Sequence, residues 1–88
     1  MIKVYLLYNN ITGKGYVGIT SQEDIEDRIQ EHTRLRSDIG NALSEYGRDA
    51  FGYEVLRECF SRPEAQEWEK YYIQQYNTLK PYGYNEEK

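Results

Sequence analysis

The sequence predicts an α/β (α+β) fold: a small three-stranded, mainly antiparallel sheet flanked by three helices. Three observations carry this expectation. Two β-rich runs at the start are joined by a turn-rich link, a third run alternates apolar and other residues, and the stretches between and after them repeat at helical spacing. At 88 residues the chain has room for a single domain, taken as 1–88. A domain of this size buries only about 60% of the surface its unfolded chain exposes, so a polar residue placed inward is costly and therefore informative.

The elements follow in order. Ile2 to Tyr8 reads IKVYLLY and Gly15 to Thr20 reads GYVGIT, with the turn formers NNITGK between them, so the opening is a hairpin. Gly18 weakens the second strand and marks either a bulge or the close approach of another backbone or a ligand. Ser21-Gln22-Glu23-Asp24 resembles a capping sequence, and Ile25, Ile29 and Leu35 then carry a first helix to about Arg36. Ile39, Ala42, Leu43 and Tyr46 give a second helix, with Gly47 placed as a left-handed stop. Phe51, Tyr53 and Val55 alternate in a third strand with one buried face, ending near Cys59. Ser61-Arg62-Pro63-Glu64 is a strong helix start, and the third helix continues to about Tyr76. The segment from Leu79 to Lys88, with Pro81 and Gly83, is an irregular closing stretch.

Composition narrows the function classes. The net charge is −4, from 11 Lys plus Arg against 15 Asp plus Glu, which argues against nonspecific attraction to nucleic acid; any such contact must be local. Arg28, Arg34 and Arg36 form one local basic group, although a solvated helix face accounts for Arg34 and Arg36 equally well. Ten tyrosines, against two phenylalanines and one tryptophan, supply rings whose hydroxyls need partners, as in wet interfaces or polar sites. Cys59 is alone, which excludes an internal disulfide or a cysteine-based zinc site. With no apolar stretch long enough for a signal peptide or membrane span, a cytoplasmic location and no membrane partner are expected.

Three residues break the amphipathic pattern. On the last helix Ala65, Trp68, Tyr72, Ile73 and Tyr76 share a stripe, and Glu69 lies inside it. A carboxylate there needs a cation, a cluster of donors or a raised pKa; an arginine partner at the stripe's edge and a metal-ligand role are both open. On the first helix Arg28 and His32, spaced i, i+4, sit among Ile25, Ile29 and Leu35. Singly, Arg28 can snorkel and His32 can be a packed histidine. Together the three make a complementary polar set that a fold without a dedicated site would replace with leucine.

These residues carry a resemblance. Val4-Tyr5, followed by Tyr16-Val17-Gly18, resembles the paired motif of the GIY-YIG nuclease family. The likeness continues through Arg28 and His32, Tyr46-Gly47, Glu69 in EKYYI, and Gly83-Tyr84-Asn85, and so spans nearly the whole chain. The tripeptide alone is weakly specific; the ordered set of Tyr5, Tyr16, Arg28, His32, Glu69 and Asn85 is strongly so.

The resemblance implies a DNA endonuclease that hydrolyses phosphodiester bonds with one divalent ion, Mg²⁺ or alternatively Mn²⁺, held by Glu69. Hard cations take oxygen ligands and keep several waters, so one carboxylate plus the substrate phosphate suffices. By the same resemblance Arg28 supplies donors to the phosphate, where lysine would substitute poorly. Tyr5 or Tyr16 orients or deprotonates the attacking water if its pKa is lowered, and His32 assists as base or relay. Gly18 and Asn85 support the site, Asn85 by fixing the tail over it, and Arg34, Arg36 and Lys14 are candidate DNA contacts. Two departures stand out: Lys3 replaces the glycine that opens the family's first motif, and the region Arg34 to Asp38 lacks the second histidine that some members carry. With no separate recognition module, specificity is expected from the domain itself, a homo-oligomer or a partner. Two other function classes compete with the enzyme. One is an inactive module of the same fold binding nucleic acid, a nucleotide-like ligand or a protein; the other is an oligomeric scaffold built on surface tyrosines.

Overall fold

The structure is a computed structural model and describes residues 1–86. Its strands are β1 (Ile2–Asn9), β2 (Gly15–Thr20) and β3 (Phe51–Cys59), and its helices α1 (Ile25–Thr33), α2 (Asp38–Tyr46) and α3 (Arg62–Tyr76), with one 3₁₀ turn at Arg48–Ala50. The sheet runs in the order β2-β1-β3 with both pairings antiparallel. Among the described residues no helix is long and apolar enough to cross a membrane.

The unbroken apolar run of β1 has a simple cause: it is the central strand, covered on both faces, so Val4, Tyr5, Leu6 and Leu7 are all buried. Pleating sends Tyr5 and Leu7 to one face, where they pack with Ile25 and Ile29 of α1, Ile39, Ala42 and Leu43 of α2, and Tyr84 of the tail. Val4 and Leu6 go to the other face, against Ala65 and Ile73 of α3 together with Val17 and Cys59. Each such side chain removed from water contributes roughly 1.5–3 kcal/mol. The hairpin turn is closed by Asn9, whose buried carboxamide oxygen accepts from the Ile11 and Thr12 amides at 2.8 and 3.3 Å.

Several boundaries differ from expectation. The cap of α1 is Asp24, accepting from the Glu26 amide at 2.9 Å, rather than Ser21. The helix ends at Thr33 instead of Arg36, leaving Leu35 half exposed. The Arg34 and Leu35 amides bond to Glu31 and His32 carbonyls three residues back, tightening the last turn. There α2 crosses so closely that a Cβ on Gly40 would collide with the His32 and Leu35 carbonyl oxygens, leaving α1 no room to continue. Helix α2 ends at Gly47 with φ 87° and ψ 154°, a backbone that glycine adopts readily but which is not the left-handed helical one.

The third strand is present, but its expected buried face is not: Phe51 is buried whereas Tyr53 and Val55 are 40% and 38% exposed. As an edge strand it lies partly outside the cover of α1 and α2, and a register shift between Val4 and Tyr5 brings Leu56 toward the α3 side. Helix α3 starts as expected, with Ser61 Oγ accepting from the Glu64 amide at 3.3 Å; Glu64 reaches back to the Phe60 amide rather than that of Ser61. Its stripe buries Ala65 and Ile73 and half-buries Trp68 and Tyr72, while Tyr76 remains 45% exposed.

The closing segment is more ordered than its composition suggests. Asn77, left-handed at φ 55°, ends α3, and the chain returns along β2. The Tyr84 amide donates to the Gly15 carbonyl at 2.8 Å. Asn85 then behaves like one residue of an added strand: its side chain accepts from the Val17 amide at 2.8 Å and donates to the Val17 carbonyl at 2.9 Å. The same oxygen accepts from Thr78 Oγ1 at 2.6 Å. All of this is buried, so Asn85→Ala would strand three polar groups and is expected to cost about 2–4 kcal/mol, read as a lowered denaturation midpoint at unchanged slope.

Candidate active site

Five segments of the chain surround a cleft of about 410 Å³. Tyr16 comes from β2, Arg28 and His32 from α1, Glu69 from α3, and Tyr84, Asn85 and Glu86 from the tail. Leu35, Ser37 and Ile39 form the remaining wall. Because β2 is an edge strand, α3 on the far face of the sheet can present Glu69 past that edge to residues on the near face.

Beneath the cleft Tyr5 is fully buried, and its hydroxyl hydrogen-bonds His32 Nε2 at 2.8 Å. Tyr16 meets the His32 ring edge-on, with centroids 5.1 Å apart at 78°, and lies 6.4 Å from the Tyr5 ring. Gly18 is required by this stacking rather than by a bulge. A Cβ there would come within 2.6 Å of Tyr5 Oη and 2.8 Å of the Tyr16 ring, whereas the sheet's irregularity lies between β1 and β3.

Electrostatics follow from burial. Both phenols are pushed above their ordinary range by desolvation, with the Arg28 charge pulling the other way and losing. The lowering that would make either tyrosine a base is therefore absent in the protein alone, and Tyr5 is screened from the cleft as well. His32 is held down to about 4 by burial, then by the Arg28 charge, so its imidazole is neutral at ordinary pH. Its Nδ1 is buried and makes no hydrogen bond.

Arg28 bonds Glu31 and lies beside the Tyr5 hydroxyl. Its Nη1 donates to Glu31 at 2.9 Å, while its Nε is buried without a partner. Glu69 is half-buried, and desolvation raises its pKa, with Lys70 as the one opposing charge. Among the described residues it makes no hydrogen bond or ion pair, so the expected alternative of an arginine partner is not what satisfies it. A partly desolvated carboxylate with free oxygens suits a hard cation. Among the described residues no three His, Cys, Asp or Glu side chains cluster, so an ion here would draw few ligands from the protein.

The sequence-predicted residues thus divide. Tyr16, Arg28, His32, Glu69 and Asn85 line one cleft, with Tyr5 and Gly18 packed beneath. Asn85 acts through backbone pairing to β2, which sets the tail as one wall. Arg34 and Arg36 are exposed on either side of the cleft-lining Leu35, and Lys14 sits exposed in the hairpin turn away from the lining. Sequence reasoning missed Glu86, a second carboxylate on the cleft whose oxygen accepts from the Asp38 amide at 3.2 Å and whose charge is felt by Tyr16. Its only sequence signal was its place next to Asn85.

The fold has known counterparts. The sequence profile described as the GIY-YIG catalytic domain matches residues 1–85. The solved catalytic domain of the homing endonuclease I-TevI superposes with a TM-score of 0.77 at 23% identity, covering 100% of each chain. An alanine variant of the catalytic domain of the intron endonuclease I-TevI gives 0.76 at 24%, covering 97% of this chain and 93% of that one. At those identities the structures show the fold, three antiparallel strands with three helices. No curated protein sequence matches significantly. The profile spans nearly all of the chain and the fold agrees over its full length: this chain belongs to the GIY-YIG family of nuclease catalytic domains.

Proposed function

We propose that the domain is an endonuclease that hydrolyses DNA phosphodiester bonds with a divalent cation held at Glu69. One observation carries the reading: a half-buried carboxylate without a partner among the described residues shares a cleft with a guanidinium whose Nε is buried and makes no hydrogen bond there. Family membership and the fold of a homing endonuclease domain support it.

In this reading Arg28 binds a non-bridging oxygen of the scissile phosphate and gains strength as negative charge grows there, in a cleft that already excludes part of the solvent. Tyr16, protonated and lining the cleft, offers a hydroxyl that can donate to the phosphate or orient the attacking water. Tyr5 and His32 act beneath it as positioning residues, their mutual hydrogen bond fixing the ring against which Tyr16 packs. Glu69 would hold the cation, and Glu86 is the other carboxylate lining the cleft. A divalent ion there, Mg²⁺ or Mn²⁺, would supply Lewis-acid chemistry in a cleft where no side chain is poised as a strong base.

The test is conversion of supercoiled plasmid by the purified protein with Mg²⁺ or Mn²⁺. Nicked or linear product is expected, and EDTA should abolish it. Retained DNA binding without cleavage under either metal would identify a binding module instead, the reading that the net charge of −4 favours.

A further inference from the structure

A second cleft of about 250 Å³ adjoins the first and shares Arg28 with it. Its other walls are Ile19 and Thr20 at the end of β2, Ser21 and Gln22, Glu31 of α1, and Arg62 at the start of α3. Two guanidiniums face one carboxylate there, so this corner is net positive in a chain of net charge −4. Glu31 is already committed, accepting from Arg28 Nη1 at 2.9 Å and from Gln22 Nε2 at 2.7 Å. Arg62 is exposed and makes no ion pair among the described residues. The other arginines with assigned contacts are occupied: Arg48 by Glu26 and Arg57 by the Trp68 ring at 3.6 Å. Arg34 and Arg36 line neither cleft.

We propose that the second cleft seats a phosphate neighbouring the scissile one on the same DNA strand, gripped by Arg62, with Arg28 as the wall shared between the two sites. The inference rests on the nuclease reading above. Its geometric basis is that one guanidinium lines both clefts, so their occupants lie within a side chain's reach, which is the scale separating successive phosphates along a strand. Two adjoining positive sites joined by one arginine would set the direction in which the strand crosses the domain. They also supply local attraction that the net charge does not.

The test is fluorescence anisotropy of a labelled mixed-sequence duplex in EDTA, titrated across a series of salt concentrations, so that binding is read apart from cleavage. Arg62→Gln is expected to weaken binding about threefold to tenfold and to lower the salt slope by about one. Lys80→Gln removes an exposed cation outside both clefts and should change neither. Glu31→Gln should shift affinity the opposite way from Arg62→Gln, since it removes the negative charge that competes for the cleft. Equal weakening by Arg62→Gln and Lys80→Gln, or an Arg62 variant with wild-type affinity and slope, overturns the subsite while leaving the nuclease reading intact. Absence of any DNA binding by the wild type would instead overturn that reading, and the subsite with it. Circular dichroism confirms that each variant is folded.

Discussion

Replacing Glu69 with glutamine is expected to reduce plasmid cleavage by about a thousandfold or more, leave DNA binding in EDTA unchanged, and make the domain more stable at neutral pH. The first effect follows if the carboxylate is the cation's protein ligand, because the isosteric amide keeps the shape and loses the charge. The third follows from burial. A carboxyl whose pKa is raised on folding favours the protonated form in the folded state, so ionisation above the unfolded pKa works against folding. Glutamine removes that cost. Opposite signs for activity and stability mark a residue kept for chemistry at the expense of the fold. A variant that loses both, judged by nicking rate and melting temperature together, would instead make Glu69 a structural residue.

The second large effect concerns acid. Unfolded His32 takes up its proton near 6.5, whereas the folded imidazole resists until about 4. Between those values the unfolded chain holds more protons, so stability is complete above about pH 6.5 and falls as pH drops toward 4. The shift corresponds to a loss of roughly 3 kcal/mol across the window, large for a domain this small. Urea denaturation at several pH values reads it directly, and His32→Gln, which keeps a polar partner for Tyr5, should flatten the profile. A wild-type profile that is already flat would mean that the imidazole charges without resistance in the fold.

Much of this was legible in the sequence, for local reasons. The hairpin announced itself by turn formers between two β-rich runs, and α3 by Ser61, Pro63 and Glu64. Arg28, His32 and Glu69 were visible because helical periodicity made them misfits. What stayed hidden depends on contacts distant along the chain. Early termination of α1 is dictated by Gly40 crossing its carbonyls, and the exposure of Tyr53 and Val55 by the place of β3 at an edge. The bond from Tyr5 to His32 joins residues 27 apart, and Val17 is tied to Asn85 across 68. Glu86 sits in no periodic element, so no pattern could mark it. The reversal of expectation at the two phenols has the same origin, since burial outweighs a neighbouring arginine only once the core has closed around them.

The return of the tail along β2 has a practical corollary for anyone handling the protein. Glu86 lines the rim of the candidate cavity, so a fluorophore or cross-linker installed at that position would narrow the entrance to the cleft. Reporter groups are better placed at Ile11 in the hairpin turn, which is exposed and lines neither cleft.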